Sequence, residues 1–318
     1  IDTNSEVSIG ILKMQEGKHR SFWKQAGMQI FAGGSAGFIE VSIMHPLDLV
    51  KTRFQLQVKT HVISEHSYNG LVDCMQKMYR SEGLLSFWKG VLPPLLVETP
   101  KRAVKFFTFE QYKHLFTFSP SGPNPLTFSI AGLCSGATEA VLVNPFEVVK
   151  VAMQANRAHH KESPGTWSVA RGIIKEGGFG FSGLNKGVTS TIARNGTFNM
   201  IYFGFYHSVK GLIPQNPDNT LEFFRKLGIG LASGVLASCL NIPFDVAKSR
   251  IQGPQPGPPG HVKYRGTLQS LRTVYTEEGY RALYKGLLPK VLRLGPGGAI
   301  MLLVYEHVYE YLDQRYPE

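Results

Sequence analysis

The sequence predicts an all-α membrane protein: three tandem repeats of about a hundred residues, each a helix, a polar connector with a short amphipathic helix, and a second helix. Three observations predict it. Pro46, Pro145 and Pro243 recur at intervals of 99 and 98 residues. Each is followed by an acid two places on and a lysine three further: Asp48 and Lys51, Glu147 and Lys150, Asp245 and Lys248. Before each proline stands a Gly-xxx-Gly stretch, GGSAG (33–37), GLCSG (132–136) and GLASG (230–234), a pattern that lets helix backbones approach closely in lipid. After it come an acid–Gly pair and a Lys-Gly step, EGLLSFWKG (82–90), EGGFGFSGLNKG (176–187) and EGYRALYKG (278–286). A period this long exceeds solenoid units, so the chain is a small module used three times.

The elements follow in order. Residues 1–22 read as a flexible tail, and the repeats as 23–120, 121–218 and 219–318. The first helix of each repeat is expected over 25–54, 126–155 and 223–252, the second over 91–117, 188–212 and 287–313. At about 1.5 Å per residue, such helices cross a hydrocarbon core when tilted or kinked, and the prolines supply a kink. A mean hydropathy of −0.08 looks low for six membrane-spanning helices. Polar connectors dilute it, and helices lining a watery cavity carry polar residues on one face.

Composition then narrows the function. A formal charge of +11 suits an anionic partner. Nucleic acid is not expected, because the cations spread through repeats and apolar helices rather than forming one patch. Cys74, Cys134 and Cys239 have no metal-ligand spacing and no disulfide framework is expected; His159-His160 and the other histidines show no ligand spacing either. GFGFSG (178–183) satisfies Gly-x-Gly-x-x-Gly but follows no strand, so no dinucleotide site is expected. GPQPGPPG (253–260) reads as a stiff loop. No nucleophile–base constellation stands out, so nothing carries an enzyme reading.

Pro-x-acid-x-x-base, repeated three times in register with Lys-Gly downstream, resembles the mitochondrial carrier family over essentially the whole chain after the tail. The resemblance implies six tilted transmembrane helices about a pseudo-threefold axis, three short helices on the matrix side, and both termini in the intermembrane space. It also implies a multi-pass, monomeric protein of the mitochondrial inner membrane with no catalytic cofactor or metal. An acid and a base three apart lie near one face of a helix end. By resemblance the three ends form a matrix gate, Asp48–Lys150, Glu147–Lys248 and Asp245–Lys51, braced by Gln55, Gln154 and Gln252. A cytoplasmic gate is implied on the second helices and is incomplete. Glu110 and Lys113 follow Phe109, Lys210 follows Tyr206-His207, and Glu306 precedes Tyr309. Only Lys210 and Glu306 can make a full pair there, with Tyr309 within the pattern to bond Glu110, so the empty protein should close more firmly at the matrix end.

Substrate is expected between the gates. Seven residues after each Lys-Gly glycine stand Val97, Arg194 and Arg293, followed by Glu98, Asn195 and Leu294. Glu98, Arg102, Lys105 and Phe109 fall at helical spacing, putting two cations and an acid on one face. Two separated arginines can hold both ends of a dicarboxylate. Glu40 and Glu139, six before their prolines, either neutralise these cations or carry a proton. Beyond the family pattern, the strings ETPKRAVKFFTFEQYK and YKGLLPKVLRLGPGGA resemble its members that exchange C5–C7 oxodicarboxylates such as 2-oxoadipate and 2-oxoglutarate. The alternative is another di- or tricarboxylate such as citrate. At the Lys-Gly steps (Lys89-Gly90, Lys186-Gly187, Lys285-Gly286) a helix N-terminus beside a lysine suits a lipid phosphate, and by resemblance that lipid is cardiolipin.

Overall fold

Six long helices close into a ring, each packing on the next and the last returning to the first, in a computed structural model. It describes residues 22–57, 68–118, 122–158, 162–214, 217–256 and 262–315. The predicted tail up to residue 21, His159-His160 and residues 257–260 of the proline-rich loop lie outside the described residues. The long helices are α1 (Phe22–Leu56), α3 (Leu92–Leu115), α4 (Pro125–Ala155), α6 (Val188–Leu212), α7 (Asn219–Gln252) and α9 (Leu287–Arg315). Between the partners of each repeat run the short helices α2 (Leu71–Glu82), α5 (Thr166–Gly177) and α8 (Thr267–Glu278). No strand occurs among the described residues. By length and composition, Pro125–Ala155, Leu221–Gln252 and Tyr280–Arg315 are apolar enough to cross a membrane. The other three long helices carry more polar positions, as expected where a helix faces a wet interior.

The motif prolines do not end their helices. α1, α4 and α7 run through Pro46, Pro145 and Pro243 to Leu56, Ala155 and Gln252. A proline lacks the N–H that would satisfy the carbonyl four residues back. At Pro46 that carbonyl belongs to Ser42, and the Trp88 indole Nε1 donates to it at 2.8 Å. The chain thus repairs its own helix with a side chain from the connector.

The Gly-xxx-Gly stretches do unequal work, which corrects the expectation that all three bring backbones together. At Gly132 and Gly136 an added Cβ would stand 2.7 and 2.5 Å from the carbonyl oxygens of Asn199 and Asn195, so α4 and α6 touch backbone to backbone. A Cβ at Gly33 would meet nothing within 4 Å, and at Gly230 only the Tyr202 hydroxyl at 3.6 Å. The connectors differ as well. α2 buries Cys74 and Met78 against Leu49, Val50 and Phe87, and Val274 of α8 packs on Val246 and Ile251. α5 buries no residue, and GFGFSG beyond it is a run of turns closed by Leu184 N–H donating to Gly178 O.

Candidate functional site

The ends of α1, α4 and α7 meet, and the three ion pairs expected from the repeat are present. Lys150 Nζ lies 2.9 Å from Asp48 Oδ2, Lys248 Nζ 2.5 Å from Glu147 Oε2, and Lys51 Nζ 2.9 Å from Asp245 Oδ2. Each joins two repeats, so together they close the bundle at this end.

Above this ring lies a cavity of about 160 Å³ lined by both candidate arginines, the ring residues, Glu98, Lys101 and Glu139. The arginines are already occupied. Arg194 Nη2 donates to Glu147 Oε1 at 2.8 Å, with Nη1 3.6 Å from Asp245 Oδ1. Arg293 divides its fork between Asp48 Oδ1 at 2.8 Å and Glu40 Oε1 at 2.7 Å. Lys290, one turn before Arg293, donates to Asp245 Oδ2 at 2.7 Å. Every ring acid therefore holds its motif lysine and a second cation from α6 or α9. Glu40 neutralises an arginine, the first of its two sequence readings; Glu139 instead accepts from Asn195 Nδ2 at 3.5 Å.

Two sequence expectations need correction. Arg102 and Lys105 do not line the cavity, whereas Lys101 does. Phe109, fully buried against Phe128 and Phe203, turns the lower part of that helix face toward α4 and α6. Lys105 Nζ consequently sits 5.6 Å over the Phe203 ring, and Arg102 bonds Glu98 at 2.6 Å and reaches Met301 Sδ at 3.0 Å. The glutamines do not bond the ring pairs either, because the α6 and α9 cations have filled the ring acids. Gln55 accepts from Ser249 at 2.6 Å, and Gln252 donates to Asn144 Oδ1 at 2.9 Å. Gln154 has no hydrogen-bond partner among the described residues, since Thr52, at the register of Ser249, donates to Asp48 O instead.

The family described as "Mitochondrial carrier protein" matches residues 22–120, 122–217 and 219–316. The chain belongs to the mitochondrial carrier family. It is 61% identical over 295 residues to the mitochondrial 2-oxodicarboxylate carrier of Bos taurus, covering 93% of this chain and 97% of that protein. To the protein of the same name from Homo sapiens it is 60% identical over 296 residues, covering 93% and 98%. To the mitochondrial citrate transporter D of Aspergillus niger it is 40% identical over 294 residues, covering 90% and 94%.

At the opposite end of the carrier, Glu110 pairs with Lys113 on its own helix. Glu306 is exposed and makes no ion pair among the described residues, so the expected Lys210–Glu306 pair is not formed in this state. Lys210 lies over the Tyr206 ring at 5.9 Å, and Tyr309 stacks on Tyr305.

The carrier also has a feature the sequence reading missed. Arg53 and Arg250 are both only 1% exposed, bonded to Glu82 and Glu278, the acids of the acid–Gly pairs. Lys89 and Lys285 join the same carboxylates at 2.5 and 2.9 Å. These groups hold the end of the preceding or following repeat's helix: Arg53 donates to Asn156 O, and Arg250 to Gln55 O and Gln57 O. The signal was KTR (51–53) and KSR (248–250) against KVA (150–152), which leaves repeat two without the arginine. It also corrects the reading of the Lys-Gly lysines as phosphate ligands. Lys89 and Lys285 turn inward, and Lys186 reaches Gly253 O at 3.4 Å.

Proposed function

We propose that this carrier exchanges C5–C7 oxodicarboxylates, such as 2-oxoadipate and 2-oxoglutarate, across the mitochondrial inner membrane by alternating access. The observation that carries the mechanism is that Arg194 and Arg293 are each held by a ring acid. A dicarboxylate entering the cavity offers both arginines a carboxylate in place of Glu147 and Asp48. Arg293–Asp48 and Arg194–Asp245 are ties between repeats, so the exchange of partners leaves the matrix gate on its lysine pairs. Partly buried pairs of this kind contribute little net stability once desolvation is counted. Substrate binding thus lowers the barrier to opening at the matrix end, while an empty carrier stays shut. The incomplete cytoplasmic gate needs less to reopen.

All three lysine pairs are made within one chain, which supports a monomer as the working unit. Cardiolipin is assigned to the Lys-Gly steps through the first backbone N–H groups of α3, α6 and α9 rather than through the lysines.

The test is uptake of labelled 2-oxoadipate into proteoliposomes, empty or preloaded with 2-oxoglutarate, citrate, phosphate or ADP. Uptake driven by internal 2-oxoglutarate is expected. Uptake driven by citrate alone would replace the substrate with a tricarboxylate, as the name of the Aspergillus niger relative would suggest.

A further inference from the structure

Arg194 and Arg293 share one register of the repeat, with Val97 as its third member, and Lys290 stands at another. Counted from the Lys-Gly glycines, Lys290 shares its register with Pro94 and Thr191, so the lysine occurs once. Thr191 is spent on Asn144 Oδ1 at 2.7 Å. On α9, Lys290 and Arg293 stand one turn apart and reach different neighbours, Asp245 of α7 and Asp48 of α1. A 2-oxodicarboxylate has the same composition: two carboxylates and a single additional acceptor, the keto oxygen, at one end.

We infer that Lys290 is the residue that reads the 2-oxo group, and that Arg194 and Lys290 together bind the 2-oxo carboxylate end while Arg293 takes the distal carboxylate. This rests on the oxodicarboxylate reading above. The argument is the way Asp245 is held now. Its two oxygens face two different donors, Oδ1 toward Arg194 Nη1 at 3.6 Å and Oδ2 toward Lys290 Nζ at 2.7 Å. A planar 2-oxo carboxylate presents two neighbouring acceptor oxygens along one edge, as Asp245 does. Arg194 and Asp245 line the cavity and Lys290 meets it only through Asp245, so the edge that displaces Asp245 takes over both donors and leaves Asp245 to Lys51, 2.9 Å from the same Oδ2.

The surroundings fix the donor pair. With its amide turned to satisfy both neighbours, the buried Asn241 donates to the Arg194 backbone carbonyl at 3.3 Å and accepts from Lys290 Nζ at 3.1 Å, tying the Lys290 ammonium to the backbone of α6. The Lys290 ammonium also lies 5.5 Å over the Phe198 ring, one turn beyond Arg194 on α6. With a substrate that lacks the keto oxygen the ammonium keeps Asp245 and Asn241 as acceptors, so the discrimination is the one charged hydrogen bond that only a 2-oxo substrate adds.

The experiment uses the full-length carrier, wild type, Lys290→Met and Lys290→Arg, in proteoliposomes. Unlabelled 2-oxoglutarate and glutarate compete against labelled 2-oxoadipate exchange, and the ratio of their inhibition constants is the readout. The wild type should favour 2-oxoglutarate by about tenfold or more, the scale of one hydrogen bond to a charged donor. Lys290→Met should lose that preference by weakening 2-oxoglutarate more than glutarate, and Lys290→Arg should keep it. An equal loss for both competitors would overturn the inference and reduce Lys290 to a brace for Asp245, and so would a preference that survives in Lys290→Met. If Lys290→Met transports too slowly, the stabilisation of the detergent-solubilised protein by each diacid against heat gives the same ratio. A wild type that exchanges no oxodicarboxylate would instead overturn the underlying reading, and this inference with it.

Discussion

Gly286 opens α9 with φ at 84°, and a Cβ there would stand 3.1 Å from Lys51 Cγ and 3.3 Å from Lys51 O on α1. Its counterparts Gly90 and Gly187 have φ of 73° and 70°. Holding another residue in this left-handed region costs about 1–3 kcal/mol. Gly286→Ala should therefore lower the unfolding temperature in lipid-free detergent. A further loss appearing only when cardiolipin is present would report the lipid, and an equal loss with and without it would remove the lipid assignment. The two arginines make a second contrast at this scale. Arg194→Ala leaves Glu147 with Lys248, and Asp245 with Lys51 and Lys290. Arg293→Ala strips the buried Glu40 of its partner, a loss of about 3–5 kcal/mol when a buried charge is orphaned. Both variants should lose exchange in proteoliposomes, but only Arg293→Ala should melt early. Adding Glu40→Gln should restore its melting temperature without restoring transport.

At the scale of elements, α8 is tied to α7 through Glu278, Arg250 and Lys285, as α2 is tied to α1 through Glu82, Arg53 and Lys89. Repeat two has no such group, which fits an α5 that buries nothing. Burial opposes the ionisation of Glu278, but Arg250 and Lys285 outweigh it and hold its carboxyl below the ordinary glutamate range. A depressed folded value means that the stabilisation is complete above the unfolded value, about 4.3. It is lost as the pH falls from there through the lower folded value. Thermal unfolding of wild type and Glu278→Gln between pH 3 and 6 should show the wild type's advantage shrinking below about pH 4. An advantage independent of pH would mean that the carboxylate's charge contributes nothing to the tie.

For the whole molecule, the closed ring was legible because three copies constrain one another: a single acid and lysine could be a surface pair, whereas three in register can only meet about an axis. Helix positions were legible for the same reason, and α6 begins and ends where its repeat partners place it. The second layer of cations was not legible. Whether Arg293 or Lys290 faces solvent, substrate or an acid of the next repeat depends on how helices distant in sequence sit side by side. Lys105 shows the opposite failure, since its helical spacing was right but Phe109 turned its face away from the cavity. The two layers together make a prediction that neither makes alone. For an isolated ion pair, exchanging the two charges preserves the attraction, so the double variant Asp48→Lys with Lys150→Asp should recover what either single change loses. Here Asp48 also receives Arg293 at 2.8 Å, so a lysine at position 48 would face that arginine across the ring. The exchanged pair should therefore leave exchange and thermal stability close to those of the worse single variant. Replacing Arg293 by methionine in the exchanged background, together with Glu40→Gln, should restore stability but not transport. Full recovery by the simple exchange would show that the arginine does not sense the ring acid, and with it would go the coupling of substrate binding to the matrix gate.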